Sequence, residues 1–94
     1  MIVVSGKLEL RPGRREEFLA KSVEAVAKAR VATGCRDFVV AADPPEPNRV
    51  NVYEEWDSEA ALLAFRGAGP GVDLGAMIAS AQVRRHSIAK SGPA

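Results

Sequence analysis

Residues 49–61, RVNVYEEWDSEAA, decide the fold of this chain of 94 residues. The first eight alternate as a strand does, with Val50, Val52, Glu54 and Trp56 on one face and Asn51, Tyr53 and Glu55 on the other. The strand turns into a helix at Asp57 and Ser58, either of which can cap the helix N-terminus. The stretch therefore predicts a strand with one core-facing side, followed directly by a helix.

Upstream of this stretch, the pattern predicts a strand, a helix and a second strand. Residues 2–10 alternate and end at Pro12-Gly13. Residues 15–33 predict a helix whose core face carries four side chains at helical spacing, Leu19, Val23, Val26 and Ala27. Gly34 stands where a left-handed cap is expected. Residues 35–42 form the second strand, and the proline-rich loop 43–48 is too short for a helix, so the two central strands form an antiparallel hairpin.

Downstream, residues 58–66 predict a second helix that presents Leu62, Leu63 and Phe65. Residues 67–71 are a glycine-rich break, and a short helix follows from Asp73 to Ile78. Residues 82–89 alternate as a last strand, and residues 91–94 are expected to be a disordered tail. The chain is therefore one domain over residues 1–90.

The resulting order, β-α-β-β-α-β, is that of a ferredoxin-like α+β fold. Right-handed crossovers give an antiparallel sheet with strand order 4-1-3-2 and both helices on one face. The other face stays bare, and alternation places Val3, Tyr53, Ile88 and part of the second strand there. An apolar patch on so small a domain predicts a homodimer packed through its sheets.

Composition limits the partners. Thirteen Lys and Arg against twelve Asp and Glu give no electrostatic footprint for nucleic acid or an anionic membrane. RNA-recognition domains share this element order, but they need a basic, aromatic third strand, and this one is acidic. No segment approaches the ~20 apolar residues of a membrane span. The single cysteine, Cys35, leaves no intramolecular disulfide, so we expect a reducing cytoplasm.

Three short motifs occur together in this order. They are Pro12-Gly13 before a charged helix start, Gly34-Cys35 opening the second strand, and Tyr53-Glu54-x-Trp56 followed by Ser58-Glu59-Ala60. With them, residues 3–80 resemble the antibiotic biosynthesis monooxygenase domain, a family of dimeric α+β barrels. The resemblance implies a cavity between sheet and helices, where a quinol, anthrone or polyketide-like aromatic reacts with O2 without a cofactor. The protein then supplies a base and a dry apolar pocket.

Three polar residues are the candidates for catalysis, Glu54, Arg66 and His86. Burial of Glu54 without a partner would raise its pKa toward that of a useful base; the alternative is an ion pair with an Arg or Lys. Arg66 ends the run Ala64-Phe65-Arg66 where many family members have a histidine, and it could bind a phenolate oxygen. His86, the only histidine, has no neighbouring Cys or His, so we expect no metal site; a surface or interface position is the alternative.

Five residues are the candidates for substrate binding, Trp56, Phe38, Tyr53, Phe65 and Met77. Trp56 could stack on a planar ligand or belong to the core, and Phe38 and Tyr53 could line the cavity mouth or the dimer interface. Haem degradation is not expected, because residues 2–10 contain no Asn and residues 60–80 no Trp or His, which haem-degrading relatives require. The alternative to an enzyme is a non-catalytic dimeric module that holds an aromatic metabolite in the same cavity.

Overall fold

The computed structural model describes residues 1–67 and 74–94. In chain order the elements are β1 (Ile2–Leu10), α1 (Arg15–Arg30), β2 (Cys35–Ala42), β3 (Arg49–Trp56), α2 (Glu59–Gly67), a 3-10 turn (Gly75–Met77) and β4 (Ile78–Ser87). The antiparallel sheet has the order β2-β3-β1-β4, which is the predicted order read from the other edge. Within the described ranges, no helix is long and apolar enough to cross a membrane.

The alternation of β3 sets the two faces of the sheet. Val4 of β1 lies opposite Glu54, and Ile2 lies opposite Trp56. Because strand partners share a face, these four side chains lie together on the side that meets the helices, which we call the inner face. Tyr53 and its neighbours in register lie on the outer face. The face assignment predicted for β3 is therefore confirmed.

The core consists of two clusters on the inner face. The first joins Ile2, Val4 and Trp56 of the sheet to Leu62 of α2. The second joins inner-face residues of β1 and β3 to α1 and the 3-10 turn, through Leu10, Val50, Phe18 and Met77. Each helix therefore covers its own half of the inner face, and both helices lie on one side of the sheet as predicted.

The orientation of α1 differs from the prediction. Its buried side chains are Phe18, Ser22 and Ala29, whereas Val23, predicted to face the core, is 66% exposed. The helix is rotated by about one position because the large Phe18 ring fills the second cluster. The helix also ends at Arg30 rather than at residue 33, and Gly34 adopts the expected left-handed conformation with φ of 83°.

Ser58 caps α2 as predicted, since its Oγ accepts the backbone N–H of Ala61 at 3.1 Å. The proline-rich loop is anchored to α1, because Nη1 of Arg15 donates to the carbonyl oxygens of Asp43 and Glu46 at 3.1 and 2.8 Å. These contacts fix the hairpin that presents β3.

The last strand begins four residues earlier than predicted, at Ile78 rather than Gln82. After Ile78, residues 79–81 are weak strand formers, but pairing such as Leu8 with Ala81 imposes the extended conformation. Of the short helix expected from Asp73 to Ile78, the structure has the 3-10 turn at its end, and Asp73 lies outside the described residues. Residues 68–71 of the predicted glycine-rich break also lie outside them.

Gly6 allows β1 and β4 to approach closely, so Gly6→Ala should destabilise the fold. A Cβ at this position would overlap the carbonyl oxygen of Gln82 and lie 2.6 Å from Cα of Val83. We expect a loss of about 1–3 kcal/mol in the free energy of unfolding, as for other overpacked sites. Urea unfolding followed by Trp56 fluorescence measures it, with Gly92→Ala as control because nothing lies within 4 Å of that Cβ. Equal midpoints for the two variants would contradict this account.

Candidate functional site

Glu54 is a carboxylate on the core face of a central strand. Its side chain is only 8% exposed. Trp56, two residues along and so on the same face, donates from Nε1 to Oε1 of Glu54 at 2.9 Å. Among residues 1–67 and 74–94, no Arg or Lys forms an ion pair with Glu54. An ion pair with an Arg or Lys was the alternative prediction for Glu54. The described residues form no such pair, and the indole of Trp56 is the hydrogen-bond partner instead.

The surroundings of Glu54 shift its protonation. Burial raises the pKa of this carboxyl, while the hydrogen bond from Trp56 and the positive charge of Arg66 lower it; the net direction is upward. Burial also raises the pKa of the Cys35 thiol, and the charge of Glu54 adds to that effect. An ionised Glu54 is thus a stronger base than an exposed glutamate, as general-base catalysis requires.

Three aromatic rings lie beside the carboxylate. Trp56 is fully buried and its ring centroid is 5.2 Å from that of Phe65. Phe38 meets Phe65 edge-on, with centroids 6.0 Å apart. Trp56 therefore belongs to the core, which was one of the two roles predicted for it. Phe65 also lines a cavity of about 330 Å³ between the end of α1 and α2. The rings thus connect a surface cavity with the buried Glu54.

Arg66 lies in the last turn of α2 with its side chain exposed, and its charge acts on Glu54. Glu54, Arg66, Trp56, Phe38 and Phe65 are thus the predicted residues that the structure brings together. In the described part of the chain, no three His, Cys, Asp or Glu side chains lie close enough together to bind a metal ion.

Three predicted residues are separated from this site. His86 lies opposite Val3 on the outer face, while Glu54 lies opposite Val4 on the inner face, so the sheet stands between them. Tyr53 is also on the outer face, 37% exposed. Met77 is buried in the second cluster, against Phe18 rather than Trp56. Within one subunit these three cannot line a site at Glu54.

Sequence reasoning passed over Arg85. Its partner in β1 is Val4, which is also the partner of Glu54, so Arg85 and Glu54 share the inner face. Nη1 of Arg85 lies 2.9 Å from Oε1 of Glu59 at the start of α2. The alternation of β4 contained this signal, because Val83, Arg85 and Ser87 share one phase. Because Ile88 was predicted to lie on the bare face, the same alternation already put Arg85 on the face toward the helices, and the strand register agrees.

The sequence has recognisable relatives. The family model for antibiotic biosynthesis monooxygenases matches residues 1–70. An uncharacterized protein from Synechocystis sp. is 34% identical over 61 residues, which cover 65% of this chain and 42% of that protein. The chain thus spans less than half the length of this curated relative.

Solved structures share the fold over nearly the whole chain. A Deinococcus radiodurans protein assigned to the antibiotic biosynthesis monooxygenases has a TM-score of 0.87 at 19% identity, covering 100% of this chain and 98% of its own. Rv0793 from Mycobacterium tuberculosis has a TM-score of 0.79 at 18% identity, with 98% of each chain covered. The haem degrader MhuD from the same organism, with two haems bound, has a TM-score of 0.73 at 15% identity and covers 99% and 100%. At these identities the likeness shows the fold alone.

The raised pKa of Glu54 predicts that Glu54→Gln stabilises the protein at neutral pH. A carboxyl whose pKa is higher in the folded state favours folding fully below the unfolded pKa, and that contribution is lost as the pH rises through the folded pKa. Glutamine keeps an acceptor for Trp56 without the buried charge, so we expect a gain on the order of 1 kcal/mol at pH 7. Urea unfolding at pH 4 and pH 7 tests this.

The gain should shrink toward pH 4, where the parent carboxyl takes up its proton. Glu55→Gln is the matched control, because Glu55 lies on the outer face, away from the core around Trp56. A gain of equal size at both pH values would contradict a buried, ionisable Glu54.

Proposed function

Because the chain belongs to the antibiotic biosynthesis monooxygenase family, we propose that it oxidises a small aromatic substrate with O2, using Glu54 as the base. One observation carries the proposal: a nearly buried carboxylate with a raised pKa, held by Trp56 beside a cluster of aromatic rings. Ordinary core packing does not call for an ionisable group there. The substrate class is a quinol, an anthrone or a related polyketide that can lose a proton and supply electrons.

In this proposal Oε1 of Glu54 stays bonded to the indole, and Oε2 accepts the proton. Oε2 receives no hydrogen bond from residues 1–67 and 74–94, and in this proposal it is the atom that accepts the proton of a substrate C–H or O–H. For an anthrone, the deprotonated CH2 carbon gives electrons to O2 and bonds to one oxygen atom. Loss of water then leaves a C=O group. The carbon is oxidised, one oxygen atom stays in the product, and the other leaves as water with both hydrogens.

Arg66 supports this chemistry electrostatically. Removing a proton from the substrate leaves an anion, and a guanidinium near Glu54 stabilises negative charge at that end of α2. Its charge already acts on the carboxylate in the free protein. In this proposal Arg66 serves as a permanent positive charge and not as a proton carrier.

A non-catalytic binding protein is the second candidate. The close packing of Trp56, which is fully buried, favours it, because Glu54 lines none of the four described cavities. In that case the cavity at Phe65 holds an aromatic ligand without turnover. The same protein would then bind quinols or anthrones and consume no oxygen.

Oxygen uptake with a panel of quinols and anthrones distinguishes the two functions. We expect turnover that falls by about 10²–10⁴-fold in Glu54→Gln, the usual contribution of a general base. Glu55→Gln, the adjacent carboxylate on the outer face, should keep parental turnover. Absence of oxygen uptake on the whole panel, with saturable quenching of Trp56 fluorescence, would replace the enzyme with the binding protein.

We also propose that two copies associate through the outer face of the sheet. Val39 of β2 lies beside Tyr53 of β3 in register, and both lie on the face without helices. Tyr53 is 37% exposed, so its ring is accessible to a second copy of the sheet. The face also carries the polar residues Glu55, Arg84 and His86, so this association would place His86 at an interface, one of the positions expected for it.

Charge on the outer face should separate the copies. We expect the parent protein to have a dimeric mass by light scattering at micromolar concentration and Val39→Glu to have a monomeric one, because burying an unpaired carboxylate between sheets is unfavourable. Val31→Glu is the matched control, since Val31 is 85% exposed and follows α1 on the other side of the molecule. A monomeric mass for the parent would rule the association out.

A further inference from the structure

A second cavity lies outside the site at Glu54. It is a groove of about 500 Å³ between α1 and the edge strand β2. We call it the α1–β2 groove. Its apolar walls are formed by Leu19, Val23, Val26 and Ala27 on the helix and by Val40 and Ala42 on the strand. The four helix residues are the stripe that the sequence pattern assigned to the core. They line this groove, although Leu19 also packs against the second core cluster.

One charged group stands at the groove, the guanidinium of Arg30 in the last turn of α1. Its Nε donates to the carbonyl oxygen of Phe38 at 2.9 Å. This bond holds the side chain against the edge of β2 and leaves both terminal nitrogens available. In residues 1–67 and 74–94, no carboxylate forms an ion pair with Arg30.

The remaining polar side chain of the groove is already satisfied. Ser22, which is buried, donates from Oγ to the carbonyl oxygen of Leu19 at 2.8 Å. A ligand therefore meets hydrocarbon along the walls and one fixed cation. Small-molecule sites share this design, in which apolar surface gives most of the contact and a few placed polar groups set the orientation.

We propose that the α1–β2 groove binds a small apolar carboxylate, whose hydrocarbon part lies along α1 and whose carboxylate pairs with Arg30. An arginine held through Nε presents its two terminal nitrogens as a fork, and that fork matches the two oxygens of a carboxylate. The volume of the groove lies within the usual range of ligand pockets, about 300–1,000 Å³. The proposal does not depend on the oxygenase function, because Glu54 does not line the groove.

The test is a titration of the full chain followed by backbone amide NMR, with octanoate as probe and octanol as its neutral counterpart. We expect octanoate to shift amides of α1 and β2 around the groove, with octanol binding at least about tenfold more weakly. Arg30→Gln should weaken octanoate binding by about tenfold and leave octanol binding unchanged. Lys21→Gln is the charge-matched control on the same helix, outside the groove.

A second pair of variants tests the location without changing charge. Ala27→Phe fills the groove and should abolish octanoate binding, whereas Ala25→Phe, on the exposed side of the same helix, should bind as the parent does. Shifts confined to residues around Trp56, or no shifts at millimolar octanoate, would overturn the proposal. So would groove amides that shift with protein concentration and ignore octanoate, because a second copy of the chain would then cover this surface.

Discussion

The strand period of two in β3 is the constraint on which the rest of the structure depends. It places Val50, Val52, Glu54 and Trp56 on one face of the strand. The three apolar side chains among them favour burial in a core. Glu54 is carried into that core with them. The hydrogen bond from Trp56 compensates part of its desolvation and at the same time fixes the indole. The fixed indole then receives Phe65, and through it the second helix. Packing and chemistry thus begin from the same pair of side chains.

Much of this was predictable because alternation is a local property. Face assignment in β1 and β3, the antiparallel hairpin and the strand order all follow from residue spacing, loop length and handedness. The inner position of Glu54 and Trp56 follows in the same way. The hydrogen-bond partner of Glu54 was not predicted, although Trp56 stands only two residues away on the same face. The carboxylate suggested a positively charged partner, whereas in the structure the bond comes from the nearest donor on the same face, the indole N–H.

The parts that could not be predicted depend on distant residues. Two stripes compete for the core on α1, one through Phe18 and Ser22 and one through Leu19 and Val23, and they differ by one residue, or about 100° of rotation. The fit of Phe18 against Leu10 and Met77 decided between them. Likewise, the alternation of β4 separates Arg85 from His86, but only the folded position of α2 shows that Arg85 pairs with Glu59. Long-range packing therefore determined both the site and the open α1–β2 groove.

The carboxylate itself is the residue that packing does not explain. A glutamine at position 54 could accept the same hydrogen bond from Trp56 and would not have its pKa raised by burial, since it carries no charge. A leucine could fill the space between Val52 and Trp56 without any polar partner. Either would suit the first core cluster better than an acid does. What only the acid provides is a proton acceptor held rigidly in an apolar setting. Glu54 therefore lowers the stability of the fold. Its presence calls for an explanation from chemistry at the inner face of β3 rather than from packing.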